Sequence, residues 1–94
     1  MPKAIWNNTV IAESTHTVMV EGNHYFPPES IKQEYFVEAQ MTSRCIWKGK
    51  AAYYDIKVGK QTNRGAAWYY PQPWILALNI KDHVAFWNGV KIVK

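Results

Sequence analysis

The chain has 94 residues, 48% hydrophobic and 19% charged, which suits one folded domain over residues 1–94 and leaves too little for two separate cores. A single cysteine excludes an intrachain disulfide and a cysteine-rich zinc site, and three scattered histidines show no ligand spacing, so neither metal nor cofactor is expected. The net charge of +4 is uneven: residues 1–40 hold two Lys against five Glu, a net of −3, while residues 41–94 hold nine Lys or Arg against two Asp, a net of +7.

Residues Thr9–Glu13 and Thr17–Glu21 are short β-rich runs, and Trp6-Asn7-Asn8-Thr9 reads as a tight turn before the first. Pro28 in Pro27-Pro28-Glu29-Ser30 is placed to start one helical turn, extending toward Tyr35. Cys45, Trp47 and Lys48 read as the end of a strand stopped at Gly49. Ala52, Tyr54, Ile56 and Val58 then alternate with Ala51, Tyr53, Asp55 and Lys57, the pattern of a half-buried strand, and Val58-Gly59-Lys60-Gln61 turns the chain back. Trp68 and Tyr70 share one face of a further strand, which Pro71 ends, and Trp74–Asn79 offers a second short helical turn. Val84–Trp87 and Val90–Val93 flank Asn88-Gly89, a hairpin signal because both residues accept positive φ. Ala4-Ile5-Trp6-Asn7-Asn8 echoes Ala85–Gly89, and pairing of these terminal segments in one sheet would tie down both chain ends. The fold class expected is mainly β and antiparallel. No apolar run approaches the roughly 20 residues of a membrane span, and the first residues lack a signal-peptide core, so a cytoplasmic protein with no membrane partner is expected.

Aromatic residues make up 15% of the chain, more than a small sheet needs on its inner face. The remainder would line a cleft; the alternative is that all of them pack in the core. Strand ends beside Gly or Pro are where side chains converge, which points to Glu21, Asn23, Tyr25, Cys45, Trp47, Lys48, Tyr53, Trp68 and Tyr70 around one pocket. Cys45 is also the candidate for a thiol enzyme, since Arg44 and Lys48 would favour thiolate; its other reading is a small buried hydrophobe. The basic stretch Arg44–Arg64 reads either as a solvated hairpin or as an anion site. A nucleic acid partner is disfavoured by the acidic N-terminal half, and the chain has neither a Gly-rich phosphate loop nor a Gly-x-Ser-x-Gly turn.

The segment order resembles a known family. Val20-Glu21-Gly22-Asn23-His24-Tyr25-Phe26-Pro27-Pro28-Glu29-Ser30, Cys45-Ile46-Trp47-Lys48-Gly49-Lys50-Ala51-Ala52-Tyr53-Tyr54, Ala66–Pro73 and Ile80 with Val84–Trp87 resemble four ordered blocks of domain-of-unknown-function family number 427. Ile46 stands where that family usually has Pro. The resemblance implies a β-tent-like domain of two small antiparallel sheets meeting at an angle, with seven to nine strands, one or two helical turns and a ligand space between the sheets. The function expected is a small-molecule-binding β domain, monomer or homodimer, whose aromatic and polar cleft leaves a catalytic role open. The alternatives are a Cys45-dependent enzyme and a nucleic-acid or protein interaction module on the 44–64 stretch.

Overall fold

The computed structural model describes residues 1–94 as nine strands and three short 3₁₀ turns. β1 (Lys3–Trp6) and β2 (Thr9–Glu13) form an antiparallel hairpin closed by Asn7 and Asn8, both left-handed at φ 52° and 58°. Asn tolerates that conformation because its short polar side chain bonds locally, so two successive Asn close a two-residue turn. β3 (Val18–Val20) and β4 (Asn23–Tyr25) form a second hairpin, closed by Glu21 and Gly22 at φ 52° and 81°. The 3₁₀ turns Pro28–Ser30 and Gln33–Tyr35 then lead into β5 (Phe36–Cys45), β6 (Gly49–Val58) and β7 (Gln61–Tyr69). A 3₁₀ segment, Ile75–Ile80, carries the chain to β8 (Val84–Phe86), and β9 (Lys91–Val93) ends it.

The strands are antiparallel throughout and form three small sheets, with orders β2-β1-β9, β3-β4 and β5-β6-β7-β8. The fold is mainly β with almost no helix, as expected, but it has three sheets and three helical turns where two sheets and one or two turns were expected. The third sheet arises because β3-β4 meets the large sheet only at its end, where Phe26 and Val84 exchange backbone hydrogen bonds of 2.8 Å. The Asn88-Gly89 hairpin expectation also needs correcting. The turn itself forms, with φ 55° and 91° and a Val90 N–H bond to the Trp87 carbonyl, but its flanks do not pair with each other. β8 stays on β7, while β9 crosses to β1. The two chain ends are therefore tied into one sheet by β9 alone.

Alternation along the four-stranded sheet divides the interior into two cores. Phe36, Ile56, Ala67, Val84 and Phe86 face the terminal sheet and pack with Ala4, Ile11, Phe26 and Ile31. Ala51 and Ala85 face the other way, joining Tyr25, Tyr70, Ala77 and Ile80. Between Glu38 and Thr42 the register shifts so that residues 39–41 oppose Tyr53 alone. Beside it, residues 64–66 of β7 oppose Asp55 alone. Paired bulges at one level bend the sheet and raise its twist. Gly65 supplies the left-handed residue (φ 62°), and its N–H donates to the Asp55 carboxylate at 2.8 Å. No helix is long and apolar enough to cross a membrane.

Candidate functional site

A cavity of about 320 Å³ opens over the second core, between the β3-β4 turn and the sheet face carrying Tyr53 and Trp68. Glu21, Asn23, Tyr25, Lys48, Tyr53, Trp68, Tyr70 and Trp87 line it. The volume lies at the lower end of ligand pockets, the size of a single-ring compound.

Each lining residue is placed by local structure. Asn23 and Tyr25 are two apart on β4 and therefore share a face. Tyr53 and Trp68 are directly opposed on β6 and β7, and Tyr70 follows Trp68 on the same side before Pro71 ends the strand. Tyr25 is wholly buried; its hydroxyl accepts a hydrogen bond from the Trp68 indole N–H at 3.2 Å, and the two rings meet edge to face at 6.4 Å. The Tyr53 hydroxyl is held by Ser43 across the strand at 2.9 Å.

The charged part of the site comes from two turns that face each other. Lys48 lies in the turn Ile46–Lys48 between β5 and β6, and it is the one charged residue among the 22 buried residues. Its ammonium pairs with Glu21, which offers its carboxylate from the tip of the other turn and also accepts the Trp47 indole N–H at 3.3 Å. The ammonium lies 5.1 Å from the Trp47 ring centroid and 5.6 Å from that of Tyr70, within cation–π range. Burial alone would lower the Lys48 pKa, but the hydrogen bond to Glu21, with smaller contributions from Tyr25, Tyr70 and Cys45, reverses this, and the net direction is upward. The Lys48 and Trp47 hydrogen bonds hold the Glu21 carboxyl below its ordinary value. At neutral pH the site therefore carries an ammonium and a carboxylate, while burial pushes the Tyr70 phenol up to about 12, leaving it a neutral donor.

Glu21 occupies an unusual backbone position. Left-handed φ is uncommon outside Gly, Asn and Asp, and the turn type here favours Asn before Gly. A Glu at this position is set against local preference, and what it gains is the contact with Lys48 and Trp47.

Three expected members of the site lie elsewhere or differ in setting. Trp47 does not line the cavity; it stands at the rim through Glu21. Cys45 is the last residue of β5, half-buried against the second core and outside the lining. Trp47 and Lys48 are turn residues rather than strand residues, because Cys45 pairs directly with Gly49 and closes the hairpin around them. Ile46 is 91% exposed at the tip of that turn and does not line the cavity. Trp87 was not anticipated. It is two residues beyond Ala85 and so shares the cavity face, and its indole N–H is held by the Gly65 carbonyl at 2.7 Å. That parity was available in the sequence, but the hairpin reading of Asn88-Gly89 assigned Trp87 to a turn flank.

The basic stretch does not form a single face. Lys48 enters this cavity, Arg44 and Lys50 line a different one, and Arg64 lines a third near the bulges. Among curated proteins none matches the chain. A family model described as a domain of unknown function (DUF427) matches residues 2–93, and the chain belongs to that family.

Proposed function

We propose that this DUF427 member is a small-molecule-binding domain whose ligand is a single planar ring with a polar edge, seated between the Glu21-Gly22 turn and the Tyr53–Trp68 face. The observation that carries the reading is the burial of Lys48 at the end of an aromatic chamber. A buried ammonium is costly unless paired, and Glu21 satisfies only part of its three-donor capacity. Tyr25, Tyr53, Trp68 and Tyr70 would supply flat walls, while Lys48, Glu21 and Asn23 would orient the ligand's polar edge. Mutual hydrogen bonds already fix Tyr25, Trp68 and Tyr53, so little ordering cost remains for binding. Cys45 lies outside the lining, and this reading assigns it to packing, so the ligand is held rather than attacked by the thiol.

The test is a ligand-detected NMR screen of single-ring compounds, with hits re-measured by calorimetry on Glu21→Asn and Lys48→Met. Asn-Gly is the preferred pair for this turn, so Glu21→Asn removes the carboxylate while keeping the hairpin. Lys48→Met keeps an unbranched stem, one atom shorter, and removes the charge. Hits weakened about tenfold or more by either change, in variants that are fully folded at the assay temperature, support the reading. Hits indifferent to both variants would refute it.

A further inference from the structure

The largest cavity, about 600 Å³, lies on the opposite face of the β5-β6 hairpin. Arg44 sits directly opposite Lys50, and Thr42 directly opposite Ala52, so these four residues share one face. Ser43 and Tyr53 take the other face, toward the first site, while Ala51 also borders this cavity. Facing the hairpin is the segment Pro71–Trp74, which closes the cavity with Gln72 and the half-exposed Trp74 ring.

Two observations point to a ligand here. The first is electrostatic. Like charges placed directly across a strand pair destabilise it, yet Arg44 and Lys50 are so placed and neither has an ion-pair partner. The acids of the neighbouring strands are engaged elsewhere, Glu38 with the Tyr69 hydroxyl and Asp55 with the Gly65 N–H. The second is the fixed backbone that carries the aromatic wall. The Trp74 backbone N–H donates to the Lys48 carbonyl at 3.0 Å. Gly49, at φ 108°, admits the Gln72 carbonyl so closely that a Cβ there would lie 3.3 Å from it. A half-exposed Trp on a fixed backbone thus stands beside two unneutralised cations over a small-residue floor.

We infer that this cavity binds a small organic anion carrying a planar ring. Arg44 and Lys50 hold its phosphate or carboxylate, with Thr42 and Gln72 within the same space, and Trp74 stacks on the ring. Arg supplies a planar fork for bidentate contact with either anion and Lys a point charge. The site shares no lining residue with the first cavity.

Calorimetric titration with phenyl phosphate, benzoate, inorganic phosphate and phenol tests the inference, accompanied by NMR of the five indole N–H signals. Phenyl phosphate or benzoate should bind at least about tenfold tighter than both inorganic phosphate and phenol, because charge and stacking act together. The better of the two identifies the anion. Binding should weaken as salt rises and should shift the Trp74 indole signal, leaving Trp68 unmoved. Arg44→Gln and Lys50→Gln should each lose most of the affinity without loss of melting temperature, since both side chains are exposed and repel one another. Trp74→Phe should retain the anion and weaken the ring contribution. Equal affinity for the ring compounds and their halves, a response centred on Trp68, or full affinity in the double Arg44→Gln/Lys50→Gln variant would overturn the inference.

Discussion

Replacing Tyr25 with Phe removes one oxygen atom from the floor of the first cavity and tests how its aromatic wall is held. Tyr25 has no exposed surface, and its hydroxyl accepts the Trp68 indole N–H at 3.2 Å. The ring contact survives the change, since Phe keeps the edge-to-face geometry at 6.4 Å. The loss is therefore one hydrogen bond, worth about 0.5–1.5 kcal/mol net. An orphaned buried donor would add up to roughly 3 kcal/mol, but Trp68 is half-buried beside a cavity that water can enter, so water takes the place of the hydroxyl. The expected cost is about 1 kcal/mol, a fall in melting temperature of roughly 4–8 °C for a domain of this size. Urea denaturation of Tyr25→Phe, Trp68→Phe and the double variant isolates the pair. The cycle should give a coupling of about 1 kcal/mol, because removing both partners leaves nothing unsatisfied. Additivity within about 0.3 kcal/mol would refute the hydrogen-bonded wall.

Three further outcomes are expected. Stability should hold up to about pH 10 and then fall: burial raises Tyr70 to about 12, and Tyr54 and Tyr69 also lie above their ordinary value, so the unfolded chain releases these protons before the folded one does. Phenolate absorbance should keep rising well above pH 10 as Tyr54, Tyr69 and Tyr70 titrate late, and a phenolate signal complete near pH 10 would contradict this. Gly49→Ala should cost about 1–3 kcal/mol, since its φ of 108° disfavours a side chain and the new Cβ meets the Gln72 carbonyl; an unchanged urea midpoint would show that Pro71–Trp74 is not packed there. Phe26→Ala, removing a fully buried ring 5.6 Å from Phe86, should cost about 3–5 kcal/mol and lower the melting transition as a whole, whereas a loss under about 1 kcal/mol would mean the first core is misassigned.

Where one face of a segment is buried, alternation made the fold readable. β6 is the clearest case, with Ile56 buried and Lys57 exposed, and Asn7-Asn8 announces its turn through residues that accept left-handed φ. β5 was opaque because it is an edge strand: Phe36 is its one buried residue, and the following positions face mostly solvent, so no period-2 signal exists over 36–43. The sheet switch after Asn88-Gly89 was hidden for another reason. Turn chemistry specifies a reversal but not which strand the returning segment joins, and here β1 offers β9 an unpaired edge. For the site, Gly and Pro beside strand ends pointed to the segments, and parity then groups Tyr53 with Trp68. What parity cannot supply is the meeting of Glu21 and Lys48, 27 residues apart in two turns, which depends on how the β3-β4 hairpin docks on the sheet.

The most direct measurement is a crystal structure determined after soaking with a mixture of single-ring compounds. Electron density is expected for a ring between the Glu21-Gly22 turn and the Tyr53–Trp68 face, with its polar edge within hydrogen-bond distance of the Lys48 ammonium or the Asn23 amide. Density that never enters this cavity, while compounds settle elsewhere on the surface, would contradict it.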